Sequence, residues 1–401
     1  MCYAFFLCQR FDPRRLTAQQ LKLRENIKNT LLVQRGVSMK KCLILIPAYN
    51  PNSGLTEYID DLLSKGIRDI LVVNDGSRKS CSEIFEAAAG RGCTVLTHAV
   101  NLGKGRAMKN GFNYFLNLPD LEEYSGVITV DSDGQHSAAD VLRLQSAMLE
   151  NPGSLILGCR DFDSDNVPFK SRYGNKITRT AFRLLYGARI SDTQTGLRGY
   201  PTGLIYSFIE LYGERFEYET NILIEAADKK IPITEMPIET IYVNNNSETH
   251  FRPFKDSVAI YRLILGSFFK YTFSSLLSFI IDIGLFRLAL GIINRIAGPG
   301  ADFAITLATA VSRICSSLFN FAVNRRIVFK SGGKTSAVML KYYILCICQA
   351  ALSAGIVTAV WKIFDTDAVI TKIIVDILLF VLSFKIQKVW VFSDKKGSEQ
   401  S

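Results

Sequence analysis

Four long apolar segments follow one another in the last third of the chain, and they constrain its fold more than any other feature. A helix needs about 20 residues to cross a hydrocarbon core about 30 Å thick. Segments of this length occupy residues 271–293, 303–323, 342–361 and 368–384. Because a soluble domain rarely contains four such lengths in succession, we predict a domain of four transmembrane helices over residues 271–393.

Basic residues are concentrated in two of the stretches that flank these segments, and this predicts the orientation of the domain. The positive-inside rule assigns loops rich in Lys and Arg to the cytoplasm. The basic residues of the linker and the C-terminal tail are Arg325, Arg326, Lys330, Lys334, Lys341, Lys385, Lys388, Lys395 and Lys396. We therefore expect both termini, including the tail at 394–401, to be cytoplasmic.

The membrane part also contains an internal repeat. LFNFAVNRRIVFK (318–330) and VLSFKIQKVWVFS (381–393) align at an offset of 63 residues. Each is the end of an apolar helix followed by basic residues, so the domain is predicted to consist of two helix pairs.

Before residue 265, short apolar runs alternate with helix-length segments. The runs that read as buried strands are LILIP (43–47), DILVVN (69–74), CTVLT (93–97), GVITVD (126–131) and SLILG (154–158). This alternation predicts an α/β fold with a mostly parallel, Rossmann-like sheet. Such sheets bind ligands beyond the carboxyl ends of their strands, where this sequence places PAYN, NDGS, NLGKG and DSDGQ.

Charge restricts the class of binding partner, and cysteine content restricts the cellular compartment. The net charge of +10 is spread without one long basic block, which favours a lipid bilayer or phosphate-bearing substrates and argues against nucleic acid. Nine cysteines without a CxxC pair argue against a disulfide framework and fit a cytoplasmic setting. Residues 1–38 lack a signal-peptide core. We expect them to be an extension without a function, with Met39 as an alternative start.

Two carboxylates, Asp131 and Asp133, follow the fourth strand with one residue between them. Side chains at i and i+2 of an extended chain point to the same side, so both can bind one cation. Mg²⁺ and Mn²⁺ take oxygen ligands of this kind, and Gln135 can add a carbonyl oxygen. An acidic turn between a strand and a helix explains the pair alone equally well.

The glycine-rich stretch NLGKGRA lies at the same rim of the predicted sheet. Its glycines allow backbone amides to approach an anion at a helix N-terminus, and Lys104 and Arg106 add charge. A basic surface turn is the alternative. Asp75, after the second strand, can accept hydrogen bonds from a base or a ribose, or cap the next helix. Together with the acidic pair, these features predict a bound nucleoside diphosphate and a metal ion.

Five ordered motifs carry a resemblance to a known family. IPAYNP, VVNDGS, NLGKGRA, DSDGQH and DTQTGLRGY resemble those of family 2 glycosyltransferases with the GT-A fold, of the dolichyl-phosphate mannose synthase type. The resemblance implies a catalytic domain over residues 39–250. The later part, with NFAVNRRIVF, resembles the GtrA-like four-helix membrane domain that is fused to such enzymes.

The resemblance also implies roles for individual residues. They are the Mg²⁺ or Mn²⁺ ligands Asp131, Asp133 and Gln135, the base contact Asp75, and the nucleotide-contact strand Pro47, Ala48 and Tyr49. Three departures from the family's usual residues, at Pro51, Asn74 and Ser137, make the nucleotide harder to assign.

The acceptor in this family is a polyprenyl phosphate, which is already largely dianionic at neutral pH and needs no general base. Cations that relieve repulsion between the two anionic substrates are needed instead. The residues expected to act on the substrates, besides Asp133, are Arg160, Arg172, Arg198 and Asp192. Arg198 lies in the motif that matches the acceptor-side loop. Ion pairs with Asp161 or Asp163 are the alternative for Arg160 and Arg172, and turn capping is the alternative for Asp192.

Residues 251–270 mix basic and apolar side chains directly before the first long apolar segment. We expect an amphipathic helix at the membrane surface, with Lys255, Arg262 and Lys270 near the lipid headgroups.

The sequence thus predicts a membrane-anchored, metal-dependent, inverting transferase. It would move a hexose from a UDP- or GDP-linked sugar to undecaprenyl phosphate or a similar lipid, for cell-envelope glycans or protein glycosylation. One alternative is a transporter that flips a lipid-linked sugar, with the α/β domain as a nucleotide sensor, because Asp282, Arg313 and Asp376 lie in apolar segments. Nucleotidyl transfer is another. A homo-oligomer is compatible with each of these.

Overall fold

The computed structural model of the chain describes residues 40–160, 169–239, 253–297, 304–364 and 367–393. They form two compact units. The sheet unit contains the described residues within Met1–Cys159, Thr195–Glu210 and Pro232–Glu248, and the helical unit those within Arg160–Gln194, Leu211–Ile231 and Thr249–Ser401. The predicted domain at 39–250 is therefore divided between two units.

In the described part of the sheet unit, seven strands form one sheet with the order β3-β2-β1-β4-β6-β5-β7. The strands are β1 Lys41–Ala48, β2 Ile70–Asn74, β3 Thr94–Thr97, β4 Tyr124–Thr129, β5 Leu155–Cys159, β6 Arg198–Pro201 and β7 Ile233–Pro237. β6 is antiparallel to β4 and β5, and the other pairs are parallel. The predicted mostly parallel, Rossmann-like fold is confirmed.

The described helices follow in chain order. They are α1 Gly54–Ser64, α2 Ser82–Gly90, α3 Lys104–Leu116, α4 Ala138–Glu150, α5 Phe169–Leu185, α6 Thr202–Ile209, α7 Glu217–Asp228, α8 Pro253–Ala297, α9 Ala304–Val323, α10 Thr335–Phe364 and α11 Ala368–Ile386. α1 illustrates how they form, because its buried residues Leu55, Tyr58, Ile59 and Leu62 recur at the spacing of one helix face.

The helical unit is built around α8, a continuous helix of 45 residues. The sequence predicted an interfacial helix at 251–270 and a separate spanning segment from 271, but the helix does not break between them. α5 and α7 both pack against α8, which explains why the stretches 160–194 and 211–231 belong to this unit.

Three stretches of the described chain are long and apolar enough to cross a membrane: Ile260–Ile296, Ala304–Val328 and Thr335–Phe364. The fourth predicted segment forms α11, but Lys372, Asp376 and Lys385 make it too highly charged to qualify by the same measure.

The internal repeat is present in the structure. α9 and α11 each continue into a π-helical turn, Asn324–Val328 and Gln387–Val391, at the offset of 63 residues. Positions equivalent by this offset are buried in both copies: Ala308 and Thr371, Ser312 and Val375, Ser316 and Leu379, Phe321 and Phe384, Asn324 and Gln387, and Val328 and Val391. The two turns also meet, because Asn324 Nδ2 donates to Gln387 Oε1 at 3.2 Å.

Candidate active site

The carboxyl ends of β1 and β2 form part of one rim of the sheet unit. The N–H of Asp75 donates to the carbonyl oxygen of Ala48, the last residue of β1, at 2.8 Å. The N–H of Asn50 donates to Ser77 Oγ at 2.9 Å. The loops PAYN and NDGS are therefore joined at this rim, as their positions at strand ends predicted.

Asp75 is buried, with 3% of its surface exposed, and its carboxylate accepts four hydrogen bonds. Oδ1 accepts from His98 Nδ1 and from the N–H of Leu102, both at 2.8 Å. Oδ2 accepts from Asn101 Nδ2 at 3.0 Å and from the N–H of Gly103 at 2.8 Å. Asp75 thereby fixes the loop that leads from β3 into α3.

This arrangement bears on two predictions, both of which stay predictions. The sequence predicted that Asp75 contacts a nucleotide base and that the glycine loop binds a substrate anion. In the structure Asp75 is itself the anion at that loop, and its four acceptor sites are filled from within the protein. Backbone amides at the N-terminus of α3 do face a negative charge, as expected. In this structure that charge is the side chain of Asp75.

His98, for which no role was predicted, completes this cluster. Asn110 Nδ2 lies 2.8 Å from His98 Nε2. Since an amide nitrogen can only donate, Nε2 accepts and the ring proton sits on Nδ1, facing Asp75. His98 and Asn110 are thus part of the support for the loop that carries Lys104.

We predict that Asp75→Asn destabilises the sheet unit by about 2 to 4 kcal/mol, since the new NH₂ group would face buried donors that have lost their acceptor. The measurement is the apparent Tm of the purified protein, compared with the exposed-site control Asp61→Asn. An unchanged Tm together with a raised KM for the nucleotide sugar would instead support Asp75 as a nucleotide contact.

Asp131 lies between two basic side chains at the end of β4. Lys104 Nζ is 2.7 Å from Oδ1, and His136 Nε2 is 3.4 Å from Oδ2. Burial acts to raise the pKa of Asp131, but the charge of Lys104 and the contact with His136 outweigh it and hold that pKa well below its usual range. Burial, followed by the negative charge of Asp131, raises the pKa of Asp133.

The residues of this site fit a divalent cation that has few protein ligands. In the part of the chain that the structure describes, no group of three or more His, Cys, Asp and Glu side chains is arranged to enclose a metal ion. Asp131 and Asp133 would therefore supply two ligands and substrate phosphates further ones, which suits Mg²⁺ or Mn²⁺. Nδ1 of His136 is buried and has no hydrogen-bond partner among the described residues. Gln135, predicted as a ligand, donates its backbone N–H to Asp133 Oδ1 at 3.1 Å.

Gly196 is part of this site, although nothing in the motif DTQTGLR distinguished it from its neighbours. Its carbonyl oxygen accepts a hydrogen bond from Thr129 Oγ1 at 3.0 Å. A Cβ atom at this position would lie 2.0 Å from Asp131 Oδ2. Only glycine therefore leaves room for the Asp131 carboxylate.

Arg198, the first residue of β6, is almost fully buried. The sequence predicted a cation that faces the acceptor, but the side chain is 1% exposed and its Nε donates to the carbonyl oxygen of Thr195 at 2.8 Å. β6 also places Arg198 opposite Thr129 of β4. The residue therefore supports the loop that brings Gly196 against Asp131.

Arg160 and Asp192 bind each other in the helical unit. Arg160 Nε and Nη2 donate to the two carboxylate oxygens of Asp192 at 2.7 and 3.2 Å. The N–H of Gln194 donates to Asp192 Oδ1 at 3.0 Å, and the Asp192 side chain is fully buried. These contacts favour turn capping over a role as a base. The alternative partners of Arg160, at 161 and 163, lie outside the described residues.

The remaining predicted residues occupy less buried positions. Pro47 and Tyr49 are partly exposed around the end of β1, while Ala48 between them is buried. Arg106 is exposed on the first turn of α3, and Arg172 is partly buried on the first turn of α5 in the helical unit.

Two family models match the chain. Residues 43–207 match the model described as glycosyl transferase family 2. Residues 270–392 match the model described as GtrA/DPMS, transmembrane domain. The two matches correspond to the two kinds of domain that the motifs predicted, and they indicate a membrane protein.

Several curated proteins are similar to this chain over half of its length or slightly more. An uncharacterized protein of Methanocaldococcus jannaschii is 28% identical over 58% of this chain and 95% of its own length. The UDP-N-acetylglucosamine–dolichyl-phosphate N-acetylglucosaminyltransferase of Methanococcus voltae is 26% identical over 51% of this chain and 86% of its own length. The polyprenol monophosphomannose synthase of Mycolicibacterium smegmatis is 25% identical over 50% of this chain and 77% of its own length.

Proposed function

Because the chain is a glycosyltransferase with a family 2 catalytic domain and a GtrA/DPMS transmembrane domain, we propose that it transfers a hexose from a nucleotide sugar to a polyprenyl phosphate. The transfer takes place at the cytoplasmic face of the membrane and inverts the anomeric carbon. The observation that carries the proposal is the pair Asp131 and Asp133 at the end of β4, with Lys104 Nζ 2.7 Å from Asp131 Oδ1.

Asp131 and Asp133 would hold the divalent cation and Lys104 adds a positive charge beside them. A bound cation would neutralise the negative charge that develops on the departing nucleoside diphosphate. Asp75 and the loop it fixes keep Lys104 in place, and Gly196 leaves room for the Asp131 carboxylate.

A phosphate acceptor is consistent with the burial of Asp192 and its hydrogen bond to Arg160. A sugar hydroxyl would need a general base, whereas a phosphate monoester is already a nucleophile at neutral pH. The carboxylate of Asp192 is fully buried and bound to Arg160, so it is poorly suited to take up a proton. A phosphate acceptor is therefore the acceptor that these residues support.

An apolar groove in the helical unit supports a lipid acceptor. Its volume is about 520 Å³, and it is lined by Lys176, Ile177, Thr180, Ala181, Leu184, Leu185, Leu265, Phe268 and Val381. Along α5 the lining runs from the basic Lys176 to the apolar Leu184, and Arg172 lies one further turn toward the basic end. On one face of α5, Arg172 and Lys176 would thus bind the phosphate, and the apolar residues that follow would contact the prenyl chain.

We predict that Leu184→Asp raises the KM for a long-chain polyprenyl phosphate about tenfold or more, because half of this side chain is exposed in the groove and an aspartate there would disfavour an apolar chain. The KM for a short, water-soluble prenyl phosphate should not change. The control is Tyr206→Asp, at an exposed position of α6 in the sheet unit. Equal effects on long and short acceptors would contradict a lipid site here.

The transporter alternative is less well supported. Relatives that match the catalytic part are named as transferases, and Asp282 is paired with Arg313 and with Ser316 Oγ. Transfer to a soluble prenyl phosphate by the intact purified protein tests the alternative, because this reaction requires catalysis by the chain but no movement of a lipid across the membrane.

The proposal is tested with the purified full-length protein and undecaprenyl phosphate. A screen of radiolabelled UDP- and GDP-sugars, with Mg²⁺ or Mn²⁺, should give one labelled lipid product. Absence of a labelled lipid with every donor, from protein that is folded by its Tm, would reject the proposed reaction.

A further inference from the structure

The two π-helical turns of the repeat carry basic residues at equivalent positions, Arg325 and Lys388. Arg325 makes its contacts inside the membrane part. Its Nη1 and Nη2 donate to Thr335 Oγ1 at 2.6 Å and to the carbonyl oxygen of Gly333 at 2.7 Å. Lys388 instead contacts residues that precede the membrane part in the sequence. The two copies of the repeat therefore differ in what this basic residue holds.

The ammonium group of Lys388 contacts the ends of two earlier helices. Its Nζ is 2.8 Å from Asp228 Oδ1, at the last residue of α7. It is also 3.7 Å from the centroid of the ring of Tyr186, which directly follows α5. The Lys388 side chain is only 19% exposed, and a cation is attracted to the face of an aromatic ring more strongly where water is excluded. Lys388 therefore joins the ends of α5 and α7.

Tyr186 extends this contact to α8. Its hydroxyl donates to the carbonyl oxygen of Ile264 at 2.9 Å. Because α8 continues through this position without a break, the hydrogen bond fixes the tyrosine at one place along the helix. The Tyr186 ring is thus held by α8 at its hydroxyl and by Lys388 at its face.

The apolar groove lies beside these contacts. On α5 its lining ends at Leu185, the residue directly before Tyr186. On α8 it includes Leu265, which follows the carbonyl group that Tyr186 binds. On α11 it includes Val381, about two helical turns before Lys388. Each of the three helices that line the groove is therefore fixed close to the groove by Tyr186 or Lys388.

We propose that Lys388 is a positioning residue for the lipid acceptor, which holds α5 at the distance from α8 and α11 that leaves the groove open to a prenyl chain. This inference rests on the proposed transfer to a polyprenyl phosphate. Lys388 acts through Tyr186 and Asp228, not on the reacting groups. Loss of the cation would free the end of α5, and a prenyl chain would then bind less tightly because its binding must also order the wall of the groove.

Lys388→Met in the purified full-length protein tests the proposal, since methionine keeps an apolar side chain but removes the charge. The KM for a long-chain polyprenyl phosphate should rise about tenfold, the range of a partly desolvated cation–π contact. The KM and kcat for a short, water-soluble prenyl phosphate should not change, because Arg172 lies at the other end of α5. Lys388→Arg can still pair with Asp228 and stack on Tyr186, so it should bring the KM for the long-chain acceptor to within about twofold of wild type.

The matched control is Lys385→Met, which removes the same charge about one turn earlier, at the end of α11. The KM for both acceptors should stay at its wild-type value in this variant. An equal rise for the long and the short acceptor, or an equal rise in the control, would indicate attraction of the phosphate by positive charge in general and would overturn the positioning role. An unchanged KM in Lys388→Met, or no rescue by arginine, would overturn it as well.

A second measurement does not depend on transfer. Amide hydrogen exchange at the end of α5 should be about tenfold faster than in wild type in Lys388→Met and in Tyr186→Leu, and unchanged in Lys385→Met. Tyr186→Leu keeps the ion pair between Lys388 and Asp228, so it tests the ring contact by itself even if the methionine variant does not fold. Unchanged exchange would overturn the proposal while transfer by the wild-type protein persists. Absence of transfer by the wild-type protein would reject the proposed function instead, so the two failures are distinct.

Discussion

Asp133→Asn is expected to lower the rate of sugar transfer by about a thousandfold, the upper range for loss of one group that stabilises charge in a transition state. Asparagine keeps the size of the side chain but removes one of the two carboxylates that would bind the metal ion. Because burial and Asp131 raise the pKa of Asp133, the ionised carboxylate is less favourable in the folded protein than in the unfolded chain. A neutral residue there should leave the Tm unchanged or slightly raised.

The loss of activity can thus be separated from unfolding. Binding of Mn²⁺, measured by electron paramagnetic resonance in the presence of the nucleotide sugar, should fall in parallel with the rate. Asp120→Asn, at a carboxylate remote from the DSD motif in the sequence, serves as the control. Full activity or unchanged Mn²⁺ affinity in the Asp133 variant would remove this residue from the metal site.

Gly196→Ala should be nearly as damaging, with a loss of about a hundredfold in transfer, comparable to the removal of one positioned catalytic group. The added methyl group would lie 2.0 Å from Asp131 Oδ2 and 2.4 Å from its Cγ, so the carboxylate must move. The measurement is kcat, together with the Mn²⁺ concentration that gives half of the maximal rate.

The matched control for this substitution is Gly203→Ala. Gly203 is an exposed glycine of the same unit, on α6, and a Cβ atom there would meet no atom within 4 Å. This variant should retain wild-type kcat. If both alanine variants were equally active, the close approach of Gly196 to Asp131 would not matter for catalysis.

Four of the five strands that the sequence predicted are largely buried, which gives each a continuous apolar run. The fifth, β3, was predicted as a buried strand but lies at the edge of the sheet and is only partly buried. β1 and β2 are almost wholly buried, and such strands are recognisable without knowledge of their neighbours. β6, with the sequence RGYP, and β7, ITEMP, were missed because they are short and contain polar residues or proline. Their pairing depends on contacts far along the chain, which local pattern does not contain.

The site residues also differ in whether local sequence or distant contacts determine their role. Asp131 and Asp133 were predicted because the i, i+2 spacing and the preceding strand are local features. The hydrogen bonds of Asp75 join it to residues more than 20 positions away, and the contact of Gly196 with Asp131 spans the distance from β4 to β6. Sequence spacing alone cannot distinguish a carboxylate that binds a ligand from one that binds a distant loop of the same protein.

In the membrane part, the long-range feature was predicted from the sequence and a local one was not. The repeat at an offset of 63 residues was visible in the sequence, and the structure reproduces it in burial and in two π-helical turns. The interfacial helix at 251–270 was predicted as a separate element because its composition changes near residue 270. Hydrogen bonding along α8 continues through this change, since a helix can pass from a polar to an apolar environment without a break.

The central claim, sugar transfer to a polyprenyl phosphate, is tested most directly by the products formed from an unlabelled acceptor and a labelled nucleotide sugar. We predict that the purified protein releases one nucleoside diphosphate for each glycolipid formed, only when polyprenyl phosphate is present, and that EDTA stops both. Release of pyrophosphate would indicate nucleotidyl transfer. Nucleoside diphosphate release that does not depend on the lipid would contradict the proposed acceptor.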